Sequence, residues 1–256
     1  MIHSFLLIGQ SNAAGRGFLN EAPALNNLNE RIKIQRNGKW RDLFRPVNPD
    51  RGFSGYCFAE SFAVKYGENN PDVEIGIIPC ADGGTGLSQW QQGEALFDNA
   101  VNCAKLAMRE SKLVGILWHQ GEGDCSIWDS TTYASRFKTM IEALKKELNL
   151  PEIPVIVGGL GDFLVQNPDP ARCEKFKDYN KVNQALQRIA TKEKNVGFVS
   201  AEGLVDNSDY LHFSAQSLRI FGVRYYRAFL ELEDKNRIFE EKTTVDAGIK
   251  TGLENL

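Results

Sequence analysis

The chain has 256 residues, with 30 Lys and Arg against 33 Asp and Glu, so its formal net charge is -3 at pH 7. This near balance disfavours nucleic-acid binding, because phosphate recognition depends on clustered Lys and Arg. Apolar residues make up 42% of the chain and charged residues 25%, which is typical of globular proteins and excludes extensive disorder. One compact domain of this length can bury enough apolar surface to be stable without disulfides.

The sequence carries no sign of a membrane or a secreted location. No apolar run approaches the roughly 18 residues that a membrane-spanning helix needs. Residues 1–9 are apolar but lack the cationic start and the cleavage site of a signal peptide, so we interpret them as a buried strand. The five cysteines are widely spaced and odd in number, which is typical of reduced thiols. We therefore expect a cytoplasmic protein without a metal site, with a secreted mature form as the alternative.

Short apolar runs alternate along the chain with longer amphipathic segments, which predicts a parallel sheet covered by helices on both faces. Continuous apolar runs predict buried strands at residues 4–8, 73–79, 113–118, 153–157 and 196–200. Apolar residues at steps of three and four predict helices at residues 58–66, 94–111, 133–148, 176–194 and 214–232. The predicted fold class is therefore α/β.

Two segments depart from this alternation. Residues 20–51 are rich in Asn and Pro, and the pair Asn37-Gly38 predicts a small hairpin inserted between the first strand and the first helix. After Glu233 the apolar periodicity fades. We therefore predict one main domain over residues 1–234 and a C-terminal tail or docked segment over residues 235–256.

Polar, glycine-rich loops follow the predicted strands, at the edge of a parallel sheet where ligands bind. The first of these loops lacks the Gly-x-Gly-x-x-Gly fingerprint, and the chain has no Gly-Lys-Ser/Thr loop, so nucleotide binding is disfavoured. Ser11 in the first loop is a candidate nucleophile, which requires a histidine base within reach. His3 lies at the opposite end of the first strand, which leaves His119 and His212 as candidate bases.

The spacing around His212 is suited to a proton relay. Asp209 precedes it by three residues, so the carboxylate can orient the imidazole across a short turn, whereas His119 has only Glu122 nearby. A serine after a strand is also typical of a helix N-cap, and an Asp-x-x-His pair is often structural. The catalytic interpretation of Ser11 rests on the fact that several strand-end loops together hold the parts that acyl transfer requires.

Four sequence blocks resemble those of a known group of esterases. They are Gly-Gln-Ser-Asn-Ala-Ala-Gly at residues 9–15, Gly-Gly-Thr at residues 83–85 with Ser88 and Trp90, Trp-His-Gln-Gly-Glu-x-Asp at residues 118–124, and Asp209-x-x-His212-Phe213. In this order they are similar to the sialate O-acetylesterases and carbohydrate esterase family 6, the acetylxylan esterase-like group, within the SGNH hydrolase superfamily. The resemblance extends from residue 2 to about residue 232.

The resemblance implies a three-layer α/β/α sandwich around a five-stranded parallel sheet in the flavodoxin-like order 2-1-3-4-5. It implies a serine esterase without a cofactor, in which Ser11 attacks the ester carbonyl, His212 transfers the proton and Asp209 orients the imidazole. Glu122 is the alternative acid or a support for the loop.

The resemblance also implies an oxyanion hole. Its expected donors are the backbone N–H of Ser11, the backbone N–H of Gly83 or Gly84, and the side-chain amide of Gln120. Each such donor stabilises the negative oxygen that forms during ester hydrolysis.

The expected substrate is an O-acetylated carbohydrate such as an acetylated sialic acid or xylan. Trp90 and Arg16 are candidates for the wall of its binding site, since aromatic and hydrogen-bonding side chains suit sugar rings. The alternative for Trp90 is a place in the core. The alternatives are a lipase or thioesterase of the same superfamily and a non-catalytic carbohydrate-binding module. The sequence leaves open the identity of the sugar, the oligomeric state, and the choice between Asp209 and Glu122.

Overall fold

A computed structural model describes residues 1–27 and 29–253, with side chains described up to residue 234. Its strands are β1 (Ile2–Gly9), β2 (Ile32–Arg36), β3 (Lys39–Asp42), β4 (Glu74–Pro79), β5 (Ser111–His119), β6 (Val155–Gly158) and β7 (Val196–Val199). They form a seven-stranded sheet in the order β3-β2-β4-β1-β5-β6-β7. All neighbouring strands are parallel except β2 and β3, which pair antiparallel.

The five predicted strands are confirmed, and β4, β1, β5, β6 and β7 lie side by side in the expected flavodoxin-like order. The expected count of five strands is wrong, because the inserted hairpin extends the sheet. Its turn is formed by Asn37 and Gly38, both with positive φ, and β2 pairs with β4. Ile32 and Ile34 of β2 are fully buried, so the insertion covers an edge of β4 that would otherwise be open.

Helices cover both faces of the sheet. In the described residues they are α1 (Ser11–Ala14), α2 (Phe58–Asn69), α3 (Ala95–Ala107), α4 (Ile127–Leu148), α5 (Pro170–Phe176), α6 (Tyr179–Lys192) and α7 (Ala215–Leu253). Helix α2 packs against α7, and α4 packs against α3 and α6, which gives the three-layer α/β/α arrangement. No helix in the described part of the chain is long and apolar enough to cross a membrane.

Three helix boundaries differ from the prediction for local reasons. Helix α4 begins at Ile127 because the Ser126 hydroxyl accepts the Asp129 N–H and caps it. The segment before α6 forms a separate helix, α5, whose first residue is Pro170. Helix α7 continues to Leu253 instead of ending near residue 232. The division of the chain at residue 234 stays a prediction, and residues 254–256 lie outside the described residues.

Aromatic packing joins α2 and α7 to the central strand. The Phe5 ring of β1 meets the rings of Phe62, Tyr66 and Phe229 edge to face, with centroid distances of 4.7, 4.9 and 5.6 Å. This orientation places the positive ring edges against the negative ring faces. Because α7 follows directly after His212, its packing also fixes the position of the loop that carries this histidine.

The close approach of β1 and β5 determines where the chain leaves the sheet before Ser11. Gly9 has φ +128°, and a Cβ at this position would lie 2.0 Å from the His119 backbone oxygen. The next residue, Gln10, donates its N–H to that same oxygen at 2.9 Å. Glycine is therefore required at position 9 by both the backbone angle and the available space.

Replacing Gly9 by Ala should lower the free energy of unfolding by at least about 3 kcal/mol, because backbone strain and overlap with the His119 backbone add together. Gly52→Ala is the matched control, since a Cβ there would meet no described atom within 4 Å. Urea unfolding followed by circular dichroism measures both variants. Equal stability of the two variants would contradict the role assigned to Gly9.

Candidate active site

Three polar side chains lie in line at the carboxyl edge of the sheet. The His212 Nε2 atom lies 3.0 Å from Ser11 Oγ, and His212 Nδ1 lies 2.7 Å from Asp209 Oδ2. Ser11 and His212 are 201 positions apart in the chain. Strand β1 delivers the first and the loop before α7 delivers the second, so the fold brings together the three residues that the sequence singled out.

The Asp209 carboxylate forms the turn that leads into His212. Its Oδ1 accepts the backbone N–H groups of Leu211 at 2.9 Å and His212 at 2.8 Å. Burial acts to raise the pKa of Asp209, but the hydrogen bonds from the His212 ring and from these two N–H groups lower it below its usual value. The carboxylate is therefore ionised at neutral pH and accepts the proton on Nδ1, which leaves Nε2 facing Ser11.

Ser11 does not cap the short helix α1. The N–H groups of Ala13 and Ala14 donate to the backbone oxygen of Gln10, at 2.9 Å each, and Gln10 is the N-cap residue. The Ser11 hydroxyl is 3.0 Å from His212 Nε2 instead. The N-cap interpretation of Ser11 is therefore wrong.

Asn12 holds the backbone on both sides of His212, a role that the sequence analysis did not assign. Its Oδ1 accepts the Phe213 N–H at 3.0 Å, and its Nδ2 donates to the Leu211 oxygen at 3.1 Å. The same Nδ2 donates to Glu122 Oε1 at 2.5 Å. The position of Asn12 directly after Ser11, in a block with a known counterpart, was the available signal for this role.

Glu122 belongs to a buried network behind the site and does not contact His212. Its Oε1 lies 3.5 Å from His119 Nε2, and His119 is fully buried with Nδ1 3.4 Å from the Tyr225 hydroxyl. Burial acts to raise the pKa of Glu122, but the contacts with His119 and Asn12 lower it below its usual value. The carboxylate that contacts His212 is therefore that of Asp209.

The glycine loop after β4 lies beside Ser11, and the Gly83 N–H in this loop already has a hydrogen-bond acceptor. A Cβ on Gly83 would lie 3.4 Å from Ser11 Cβ, yet the Gly83 N–H donates to Asp50 Oδ2 at 2.8 Å. The backbone N–H groups of Ser11 and Gly84 have no acceptor among the described residues. Of the expected glycine donors, only Gly84 is therefore free to bind a ligand oxygen.

The side-chain amide of Gln120 is not available for its expected role as an oxyanion donor. Its side chain is fully buried, and Nε2 lies 2.6 Å from Asp124 Oδ2, 3.1 Å from the Thr85 oxygen and 3.2 Å from Gln10 Oε1. The Tyr133 hydroxyl is 3.1 Å from Gln120 Oε1. An amide has two N–H donors, and both have acceptors here. Gln120 instead connects the loops that follow β1, β4 and β5.

Of the two candidates for the wall of the substrate site, Trp90 is buried in the core and Arg16 lines the cavity. Trp90 is only 1% exposed; its Nε1 donates to Thr85 Oγ1 at 3.2 Å and its ring packs edge-on against Trp118. Of the two interpretations of Trp90, the structure supports the core one, because the ring is buried beneath the loop. Arg16 does line the site, but its guanidinium is already paired with the Asp50 carboxylate at 2.7 and 3.0 Å.

A cavity of about 330 Å³ opens beside Ser11 and His212. Residues missed by the sequence analysis also line it: Arg51 and Phe53 from the loop after β3, and Lys175 and Phe176 from α5. The Phe53 ring is 71% exposed, with the Arg16 guanidinium carbon 5.2 Å from its centroid. Neither composition nor spacing marks these residues as part of a site, because their role comes from the path of the loops in space.

A family model described as "Carbohydrate esterase, sialic acid-specific acetylesterase" matches residues 1–231. The chain belongs to this family. It is therefore a carboxylic ester hydrolase of the carbohydrate acetylesterase type, and the resemblance seen in the sequence blocks is confirmed. An Arabidopsis thaliana protein named "Probable carbohydrate esterase" is 26% identical to this family member over 249 residues, which cover 88% of this chain and 89% of that protein.

Solved structures show the same fold as this carbohydrate esterase. An Arabidopsis thaliana protein structure matches with a TM-score of 0.77 and 27% identity, covering 90% of this chain and 98% of that one. NanS matches with a TM-score of 0.71 at 18% identity, covering 91% and 98% of the two chains. A carbohydrate acetylesterase from Xanthomonas citri matches with a TM-score of 0.62 at 17% identity, covering 88% of this chain and 55% of that one.

The lowered pKa of Glu122 predicts a pH-dependent contribution to stability. In the unfolded chain a glutamate titrates near about pH 4.3, so the ionised form stabilises the fold above that pH, and the gain is lost as the pH falls through the lower folded pKa. The free energy of unfolding of the wild type, relative to that of Glu122→Gln, should therefore be smaller at pH 3.5 than at pH 7. Urea unfolding at both pH values measures it.

Glu142→Gln is the control for this measurement, since the Glu142 side chain is 62% exposed. Its difference from the wild type should change much less between the two pH values. A Glu122→Gln difference that stays constant with pH would contradict the assignment of Glu122 as a buried, ionised carboxylate.

Proposed function

We propose that this chain is a serine esterase that removes O-acetyl groups from a carbohydrate, with Ser11 as the nucleophile, His212 as general base and acid, and Asp209 as the group that orients the imidazole. The observation that carries the proposal is the continuous line of hydrogen bonds, 3.0 Å from Ser11 to His212 and 2.7 Å from His212 to Asp209, at the wall of an open cavity. Membership of the carbohydrate esterase family supplies the class of substrate.

In the proposed reaction, Ser11 Oγ attacks the acetyl carbonyl carbon while His212 Nε2 takes the hydroxyl proton. The ionised Asp209 stabilises the imidazolium that results. Breakdown of the tetrahedral intermediate breaks the bond to the sugar oxygen, and His212 returns the proton to that oxygen, so the sugar leaves as an alcohol. A water molecule, deprotonated by His212 Nε2, then attacks the acetyl-serine carbonyl carbon. The bond from Ser11 Oγ to the acetyl group breaks, His212 returns the proton to Ser11 Oγ, and acetate leaves.

The negative oxygen of each tetrahedral intermediate would accept hydrogen bonds from the backbone N–H groups of Ser11 and Gly84. These two donors support the proposal because neither has an acceptor among the described residues and both residues line the cavity. Donors aimed at the developing charge are worth about 10²- to 10³-fold in rate each. Gln120 is not included, since its amide is fully used elsewhere.

The size and lining of the cavity favour a sugar ester over a long-chain ester. Its volume of about 330 Å³ lies at the lower end of the roughly 300–1,000 Å³ that ligand pockets span. The exposed Phe53 ring offers a flat face for a sugar ring, and Lys175 offers a donor to hydroxyl or carboxylate oxygens. An acetyl group with one sugar unit fits this space, whether the sugar is a sialic acid or a xylose unit of xylan.

Ser11→Ala and His212→Ala should each lower kcat for acetate release by at least about 10⁴-fold, because the members of such a relay act as a unit. The melting temperature of Ser11→Ala should change little, since among the described residues the Ser11 hydroxyl bonds only to His212. The assay measures acetate release from a panel of O-acetylated sialic acids and xylo-oligosaccharides, with p-nitrophenyl esters from acetate to octanoate for comparison.

Wild-type activity on the acetylated sugars with loss in both variants is the expected result. Substantial activity in the Ser11→Ala variant would refute the proposed mechanism. Rates on p-nitrophenyl esters that rise with acyl chain length would favour a lipase, and absence of turnover by the wild type would favour a non-catalytic binding module.

Asp209→Asn and Glu122→Gln form a matched pair that identifies the acid. Asp209→Asn should lower kcat by about 10⁴-fold, because the imidazole then loses the partner that fixes its tautomer. Glu122→Gln should have a much smaller effect, since Glu122 reaches His212 only through Asn12. Steady-state kinetics on one acetylated sugar compares them, and a larger loss in the Glu122 variant would reverse the assignment.

A further inference from the structure

The buried ion pair of Arg16 and Asp50 lies beside Ser11 and has no part in the proton relay. The Arg16 and Asp50 side chains are only 4% and 3% exposed. Arg16 Nη1 donates to Asp50 Oδ1 at 3.0 Å, and Nη2 donates to Oδ2 at 2.7 Å. A buried ion pair is a weak source of net stability, because desolvation offsets most of the attraction. The importance of this pair therefore lies in the groups that it holds in place.

Asp50 also accepts hydrogen bonds from two groups outside the pair. The Ser54 hydroxyl donates to Oδ1 at 2.7 Å, and the backbone N–H of Gly83 donates to Oδ2 at 2.8 Å. Burial acts to raise the pKa of Asp50, but these donors together with Arg16 lower it below its usual value. The carboxylate is thus ionised and rigidly held, and the Gly83 N–H is fixed to it.

The next residue, Arg51, holds the other side of Gly83. Its Nη2 donates to the Gly83 oxygen at 2.9 Å, and its Nη1 donates to Asp82 Oδ1 at 2.8 Å. The Gly83 C=O and the Gly84 N–H belong to one planar trans peptide unit, in which they point in opposite directions. With the Gly83 oxygen held by Arg51, the Gly84 N–H therefore points away from the Arg51 guanidinium.

Space around Gly83 leaves little freedom for this peptide. A Cβ on Gly83 would lie 2.5 Å from Arg16 Nη2, 2.8 Å from Asp50 Oδ2 and 3.4 Å from Ser11 Cβ. Gly83 is thus enclosed between the ion pair and the candidate nucleophile. Asn48, two residues before Asp50, holds the preceding part of the loop by bonding both the N–H and the C=O of Ala81, at 2.9 and 2.8 Å.

We propose that Asp50 and Arg51 are positioning residues, which fix the peptide between Gly83 and Gly84 so that the Gly84 N–H binds the oxyanion beside Ser11. This inference rests on the proposed esterase mechanism and adds to it the part of the structure that builds the oxyanion site. Asp50 acts through the Gly83 N–H and Arg51 acts through the Gly83 oxygen. Neither residue takes part in proton transfer.

Asp50→Asn tests the proposal, with Glu60→Gln as its matched control. Glu60 is 1% exposed and bonds Arg45 at 2.8 Å, so both variants replace a buried carboxyl group that contacts an arginine. Burial raises the pKa of Glu60 to about 7, and among the described residues Glu60 does not bond the Gly83 peptide as Asp50 does. Asp50→Asn should lower kcat by about 10²-fold, the loss of roughly one oxyanion donor, with little change in KM. Glu60→Gln should keep the wild-type kcat.

Binding of methylboronic acid supplies a readout that general destabilisation would not move. Boronic acids form a tetrahedral anionic adduct with a reactive serine, and one oxygen of the adduct occupies the oxyanion position. Its inhibition constant should rise in Asp50→Asn by about the same factor as kcat falls, while the inhibition constant of the deacetylated sugar product stays the same. The proposal would be overturned if Asp50→Asn left kcat unchanged or changed only KM. It would also be overturned if Asp50→Asn and Glu60→Gln lowered kcat equally.

Arg51→Ala gives a second test if Asp50→Asn does not fold, because the Arg51 side chain is 42% exposed and its loss should leave the melting temperature nearly unchanged. A fall in kcat and in boronate affinity is the expected result, and wild-type values for both would refute the proposal. Ser11→Ala distinguishes the two levels of inference. If that variant is active, the esterase mechanism fails; if it is inactive while Asp50→Asn and Arg51→Ala behave as wild type, only the positioning role fails.

Discussion

The arrangement of this site depends on the hydrogen bonds that the Asn12 amide makes to the backbone on either side of His212. Ser11 is fixed by β1 and its close contact with β5, whereas His212 lies in a loop just before α7. The Asn12 side chain connects the two directly, because it is the next residue after Ser11. A short, fully satisfied amide link of this kind fixes the distance between the Ser11 and His212 side chains more tightly than packing of the distant helices alone.

Three carboxylates with similar electrostatic surroundings serve different parts of the site. Each is at least partly buried, and each is kept ionised by donors that outweigh the cost of burial. Asp209 bonds to the His212 ring, Glu122 bonds to the Asn12 amide, and Asp50 bonds to the Gly83 N–H. A buried, ionised carboxylate thus orients a different group in each case: the His212 ring, the Asn12 amide and the Gly83 peptide. This division explains why counting carboxylates near a histidine in the sequence cannot identify the acid partner.

The sequence was informative where local patterns determine the structure. Continuous apolar runs identified the central strands, and the three-residue spacing of Asp209 and His212 matches a turn closed by the carboxylate itself. The pairing of β2 with β4 could not be predicted, because a two-stranded hairpin gives no sign of the third strand that it joins. The contacts of Asp50 and Gln120 were equally inaccessible. Both depend on which loops meet at the sheet edge, and composition and spacing carry no information about that.

The inserted segment that covers the edge of β4 continues into residues that lie beside Ser11. Ile32 and Ile34 complete the sheet. Further along the same stretch, Asp50 bonds the Gly83 N–H, and Arg51 and Phe53 line the cavity. One continuous stretch of chain thus both covers the edge of the sheet and lines part of the cavity beside Ser11. Exchanging this stretch between related esterases would therefore change the stability of the sheet edge and the lining of the cavity at the same time.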